Sequence, residues 1–127
     1  LTDMSFMFND CRNLKEIDMT SFNTDKVTGM YYMFQYCISL KNVKLQSFNT
    51  RNVTEMQSMF SECKSLQALD LSNFNIEKVT NIQCMFYGCR ELKNIYVNSS
   101  WNTDHIGNYE KIGLFDGCGV DHVTVKK

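Results

Sequence analysis

The chain contains no proline and only six glycines among its 127 residues. Nothing in it therefore forbids regular backbone structure along the whole length. It lacks an excess of either charge: 13 Lys and Arg stand against 14 Asp and Glu, a net charge of −1. That balance gives no electrostatic ground for nucleic acid or an anionic membrane as partner. It lacks a long apolar run; MYYMF from Met30 is far too short to span a bilayer. No CxxC pair is present, and the two histidines are far from most of the cysteines in sequence. No leader is visible, but the chain opens inside a repeat without an initiating methionine, as a fragment or processed piece would. Absence of a targeting segment therefore says nothing about the compartment of the parent protein.

What is present is one apolar sentence written four times. LTDMSFMFNDC opens the chain, and VTGMYYMFQYC, VTEMQSMFSEC and VTNIQCMFYGC begin at Val27, Val53 and Val79, 26 residues apart. Cys11, Cys37, Cys63 and Cys89 mark the same interval, and Cys118 follows after 29 residues. A hydrophobic content of 43% is enough for a packed core and argues against wholesale disorder. Each period has two apolar rhythms. Leu14, Ile17 and Met19 recur as Leu40, Val43, Leu45, then Leu66, Leu69, Leu71, then Leu92, Ile95, Val97. The last two of each trio alternate with polar residues, which is strand period. Such short strands need neighbouring copies to share hydrogen bonds in a parallel sheet. Met30, Met33, Phe34 and Cys37 fall at i, i+3, i+4 and i+7, one face of a helix. Thr28 precedes them as a capping residue, and Thr54 with Gln57 and Thr80 with Gln83 match a capping box.

The pattern predicts an α/β solenoid, with parallel strands on a concave face and short helices on a convex face. Strands ~4.8 Å apart and helices ~8–10 Å apart would force the stack to curve. The units run as a partial first unit 1–10, repeats 11–36, 37–62 and 63–88, an irregular repeat 89–117 and a terminal strand 118–127, one array in all. Phe22, Phe48, Phe74 and Trp101 share one place after each strand and read as an aromatic spine. Asn23, Asn49, Asn75 and Asn102 follow them, either as an amide ladder between units or as exposed turn residues. Seven of the eight methionines sit in the helical segments, where such a stripe reads as core and not as a metal site.

LDLSNFNIEKVTNIQCMFYGC from Leu69, VKLQSFNTRNVTEMQSMFSEC from Val43 and IDMTSFNTDKVTGMYYMFQYC from Ile17 carry a resemblance. The chain resembles the leucine-rich repeats of the BspA-like bacterial surface proteins, which read roughly LxxLxLSxFDTSNVTDMSxMFxxC. The likeness covers nearly the whole chain. It departs where the usual Asp after Phe is Asn, and in the last unit, SSWNTDHIGNYEKIGLFDGCGV, which breaks step as a terminal unit does. The resemblance implies a secreted or surface-anchored protein involved in adhesion.

Little in the sequence points to catalysis. The five repeated cysteines, spaced by helices ~8–10 Å wide, are too far apart for disulfides, which need Cα separations below ~7 Å, and read as buried reduced thiols. Cys84, at the position of Ser58 and Tyr32, reads as a partly exposed thiol without a basic neighbour. His105 and His122 lie in the irregular unit. Asn52-Val53-Thr54 and Asn98-Ser99-Ser100 fit glycosylation sequons, though the first follows from the repeat template. No enzyme activity, cofactor or metal is expected. Recognition is assigned to the concave face, which carries three outward rows: Glu16, Asn42, Ala68, Asn94, His122; Asp18, Lys44, Asp70, Tyr96, Thr124; and Thr20, Gln46, Ser72, Asn98, Lys126. Within them Asp18, Lys44, Asp70, Tyr96, Asn42, Asn94, Gln46 and Asn98 are the candidate contacts, with Asp18, Lys44 and Asp70 alternating in sign so as to pair laterally. The other reading is a merely solvated sheet. Tyr32 and Tyr36, with Tyr31, form a second candidate on the helical side, or simply pack on their neighbours. The expected function is a non-enzymatic binding or adhesion module for a protein or host-surface ligand, without nucleic acid or membrane insertion. The alternatives are an intracellular scaffold or inhibitor, for which free thiols suit a reducing compartment, and a passive spacer.

Overall fold

A computed structural model describes residues 1–126; the last residue of the expected terminal segment 118–127 lies outside them. The strand-period trios do form parallel strands: β1 (Glu16–Asp18), β2 (Asn42–Lys44), β3 (Ala68–Leu71), β4 (Asn94–Val97) and β5 (Thr124–Val125). They make two small sheets, β1-β2 and β3-β4-β5. The registers Ile17↔Val43 and Leu69↔Ile95 put equivalent repeat positions side by side.

The expected helices are absent. Among the described residues the only helical element is one 3₁₀ turn, Tyr109–Lys111. The buried positions were nonetheless read correctly: Met30, Met33, Phe34 and Cys37 are fully buried, as are Met56, Met59, Phe60 and Cys63. The segment buries them by a different backbone. Met30, Tyr32, Phe34 and Tyr36 each donate their N–H to the next unit, to the carbonyls of Glu55, Gln57, Met59 and Ser61. Met4, Phe6, Phe8 and Asp10 do the same to Gly29, Tyr31, Met33 and Gln35. The carbonyls an α-helix would use internally are thus taken from outside. Within each unit, i→i+3 turns such as Cys37 N–H to Phe34 O absorb the remaining groups. These turns place Phe6, Asp10, Tyr32, Tyr36, Ser58, Glu62 and Cys84 at positive φ, and in the last units Gly88, Gly113 and Gly117. Period-3-and-4 burial is common to a helix and to this chain of turns, so periodicity alone could not separate them.

Four successive junctions carry this turn ladder, the last being Ile82, Cys84, Phe86 and Gly88 onto Glu110, Ile112, Leu114 and Asp116. Phe8, Phe34, Phe60, Phe86 and Phe115 stack along it, with ring centroids 5.5 to 6.1 Å apart. Both sides of each unit therefore repeat at close to strand spacing, and the helix-width argument for curvature lapses. The expected spine after the strands is shorter: Phe48 stacks on Phe74 at 6.3 Å, while Phe22 and Trp101 are only half-buried against the core.

The threonines and asparagines also take other duties. Thr54 Oγ1 donates to Thr28 O, and Thr80 Oγ1 to Thr54 O, so they lace units together instead of capping helices. Asn23, Asn49, Asn75 and Asn102 accept from the N–H two residues on, closing local turns, and among them only the Asn49 amide also bridges units, donating to Asp25 Oδ1 at 3.2 Å. The recurring bridge belongs to the next residue. Thr24 Oγ1 donates to Asn49 O and accepts from Asn49 N–H, and the fully buried Thr50 does the same with Asn75.

All six cysteines are free. The spacing argument against disulfides falls with the helices, but the thiols have a positive role: Cys37, Cys63 and Cys89 donate Sγ–H to the carbonyls of Phe8, Phe34 and Phe60 in the preceding unit, at 3.2, 3.1 and 3.0 Å. Burial pushes Cys37 up to about 11 and Cys89 up to about 12, and Cys63 well above its ordinary range. A neutral thiol at this position fills a small apolar space and closes a hydrogen bond, which serine would do only by burying a more polar group.

Candidate recognition surface

The strand face is built on side chains that alternate out from buried Leu69, Leu71, Ile95 and Val97. Asn42, Lys44, Gln46 and Asn94 are exposed there, and Asp70 and Tyr96 half-exposed. The registers Glu16↔Asn42, Asp18↔Lys44, Ala68↔Asn94, Asp70↔Tyr96 and Tyr96↔Thr124 confirm two of the three predicted rows as far as each sheet extends.

The rows do not cross the whole face, because β2 and β3 share no ladder among the described residues. Side chains span this seam instead. Asn73 Nδ2 donates to the carbonyls of Leu45, Gln46 and Phe48, and Ser65 Oγ to Ile38 O. A cleft of about 280 Å³ opens at the seam, lined by Lys41, Asn42, Ser65, Gln67 and Ala68. A second, of about 310 Å³, lies on the other side of β2 against Glu16, Ile17, Asp18 and Lys44. Asn42 and Lys44 thus stand on a rib between two shallow polar depressions.

The predicted charge alternation holds only within β1-β2. Lys44 Nζ lies 3.9 Å from Asp18. Asp18 is held below the usual carboxylate range first by the Thr20 hydroxyl, at 2.6 Å, and then by Thr20 N–H. Asp70 does not pair with Lys44. Its partner is Lys126, 2.6 Å away across β4 and β5, whose ammonium also lies 5.9 Å from the centre of the Tyr96 ring. Burial pushes the Asp70 carboxyl up, but the hydrogen bonds from Lys126 and Ser72 outweigh it and leave the group lowered. Asp70, Tyr96 and Lys126 form one cluster, and the sequence reading missed Lys126 as a contact because its partner lies 56 residues away. Asn98 is a correction of the opposite kind: its amide donates to Ser72 O and Phe74 O, so it braces the backbone and is not free for a ligand.

On the turn side, Tyr32 stacks on Phe6 at 5.0 Å, and Tyr31 meets both rings edge-on. Tyr36 is exposed, with the Arg12 guanidinium 5.4 Å from its ring centre. The aromatic patch is real, but its rings mostly cover one another. Phe6 belongs to it through the looser first copy, where it occupies the position of Tyr32. Cys84 is half-exposed, as are Cys11 and Cys118, and its pKa is raised first by burial and then by the Asp116 carboxylate. His105 Nε2 lies 3.0 and 3.1 Å from the carbonyls of Ile76 and Val79, a structural contact, and His122 faces Asp121 at the surface. No group of three His, Cys, Asp or Glu among the described residues is placed to hold a metal ion.

A chain of 26-residue units joined by parallel strands and a turn ladder, with a polar strand face, defines a repeat protein. The chain belongs to the family described as Mycoplasma protein of unknown function, DUF285, whose model matches residues 2–119. No curated protein and no solved structure matches it.

Proposed function

We propose that the chain is a stretch of leucine-rich-repeat solenoid of the BspA-like kind, and that it acts as a non-enzymatic module holding a protein or cell-surface ligand on its strand face. The observation that carries this reading is the Asp70–Tyr96–Lys126 cluster beside the rib of Asn42 and Lys44. Short parallel strands hold these side chains in fixed register while buried Leu and Val anchor the backbone behind them. Recognition of this kind spreads over many polar contacts and concentrates on an aromatic residue and a cation at the centre. The ligand expected is itself polar and offers a carboxylate or amide to Lys44 and Lys126.

Immobilised chain, challenged with extracts of host and bacterial surfaces, tests this. A retained species should be lost with Tyr96→Ala or Lys44→Glu and kept with Tyr36→Ala on the turn side. Retention indifferent to both strand-face changes would overturn the assignment, and loss with Tyr36→Ala alone would move the site to the turn side. One observation favours a second reading, an intracellular scaffold: six free thiols suit a reducing compartment. A secretion signal or lipid-anchor cysteine in the full gene decides for the surface. The spacer reading is separated by exchanging the array for an unrelated rigid one; binding that survives the exchange belongs to other parts of the parent.

A further inference from the structure

One row of the strand side takes no part in the cluster around Tyr96. Lys15, Lys41, Gln67 and Lys93 hold the same place in successive units, just ahead of the strands, and all four are exposed. Main-chain bonds set them side by side: Lys41 N–H donates to Lys15 O and Lys93 N–H to Gln67 O, each at 2.8 Å. The middle junction of the row is open. Among the described residues Gln67 N–H has no partner, and Lys41 O accepts nothing. These two residues line the cleft of about 280 Å³ at the seam, with Asn42, Ser65 and Ala68. The lining holds one ammonium, two carboxamides and no carboxylate. Lys15, Lys41 and Lys93 form no ion pair among the described residues. Glu16 and Glu91 stand near the outer lysines in the chain, but the cleft itself offers nothing to offset Lys41. The whole chain is close to neutral, so this excess is local.

We propose that the seam cleft and its flanking lysines bind an acidic peptide segment, laid along the row with a carboxylate on Lys41. Charge complementarity selects a run of carboxylates over a single anion. Neighbouring units repeat at strand spacing, ~4.8 Å, so Lys15 and Lys41 stand close together and Lys93 lies roughly 10 Å beyond Lys41. The open junction selects a peptide. Gln67 N–H and Lys41 O are a donor and an acceptor left over from a missing bond, and a main-chain amide offers the matching acceptor and donor. The carboxamides of Asn42 and Gln67 can do the same from the side. A saccharide ring or an unpaired base would be met by an aromatic face, and no ring lines this cleft. The inference narrows the ligand of the strand-face reading and rests on it in taking this face as the binding face, but it uses neither Tyr96 nor Lys44.

Fluorescence polarisation of a labelled hexaglutamate peptide, titrated with the whole chain at low salt, tests it. Binding should saturate, and it should weaken as salt rises. Lys41→Glu should lower the affinity roughly 10-fold, and Gln67→Lys, which completes the row, should raise it about 3–5-fold. Lys26→Glu makes the same charge change at an exposed site in the turn beyond Asn23 and should leave the affinity within about twofold. Absence of saturable binding, an equal loss with Lys26→Glu, or no gain with Gln67→Lys overturns the proposal. So does tighter binding of an oligogalacturonate or an oligothymidylate of the same charge, which would make the ligand a saccharide or a nucleic acid. Two further outcomes separate this site from the strand-face cluster. Hexaglutamate binding that follows Lys41 and Gln67, with surface-ligand retention indifferent to Tyr96→Ala and Lys44→Glu, keeps the seam site and removes the cluster. Retention that follows Tyr96, with hexaglutamate binding indifferent to Lys41→Glu, does the reverse.

Discussion

Phe60 shows what a single residue does in this fold. It is fully buried, stacked between Phe34 at 5.5 Å and Phe86 at 6.1 Å, and its carbonyl receives the Cys89 thiol. Phe60→Ala should cost ~3–5 kcal/mol, because neighbours tied by lateral hydrogen bonds cannot collapse into the hole. Urea unfolding measures it, and a loss below about 1 kcal/mol would mean the column is not core. The thiols make a second prediction, in alkali. Burial raises the folded pKa of Cys63 and Cys89 above the ordinary value of 9.0, Cys89 to about 12. Below pH ~9 these thiols are neutral in both states and their contribution is fully present. Above it the unfolded chain loses protons that the folded chain keeps, so stability falls as pH rises through the window from about 9 to about 12. Chemical unfolding at stepped pH should show that decline, and Cys89→Ala should flatten part of it. Equal slopes in the two proteins would remove the buried thiol from the account.

At the scale of the element, the sequence made the strands legible and the turn segments only half so. Alternation fixed which residues of β1 to β4 face inward, because period two has few competitors, whereas both residues of β5 are exposed. In MYYMFQYC the same reasoning identified Met30, Met33, Phe34 and Cys37 as buried but assigned them a helix, since chained turns bury the same positions. The deciding fact is nonlocal: Phe34 N–H goes to Met59 O, 25 residues on. The same limit hid Lys126 from Asp70 and gave the whole bridging role to asparagines, of which Asn49 has a part while the neighbouring Thr24 and Thr50 perform the rest. One clue was present: glycine stands at position 88, where earlier copies have Glu62 and Tyr36, and at all three φ is positive. A left-handed residue costs an L side chain ~1–2 kcal/mol, which glycine avoids at the expense of some chain entropy. Glu62→Gly should therefore leave stability unchanged or raise it by up to ~1 kcal/mol. Gly88→Ala should lower it by ~1–2 kcal/mol, since the new Cβ would also lie 2.7 Å from the Glu62 carboxyl group. Thermal melts of both variants check the asymmetry; a clear loss in Glu62→Gly would argue that the backbone there is helical.

For the whole molecule, continuity lies where the sequence suggested discrete helices, and the break lies in the sheet. Four junctions of the turn ladder run unbroken from Met4 to Asp116, while the strand side stops between β2 and β3. The interruption gives the candidate surface its cleft beside Lys41 and Asn42. It also predicts two tiers of stability in one molecule, a firm turn side and a looser strand side near the seam. Amide hydrogen exchange followed by NMR reads those tiers residue by residue. The amides of Phe34, Ser58 and Phe60 should exchange only through global unfolding, and that of Leu45 at the seam should exchange faster. Rapid exchange at Phe34 and Phe60 alongside full protection across β2 and β3 would contradict the account.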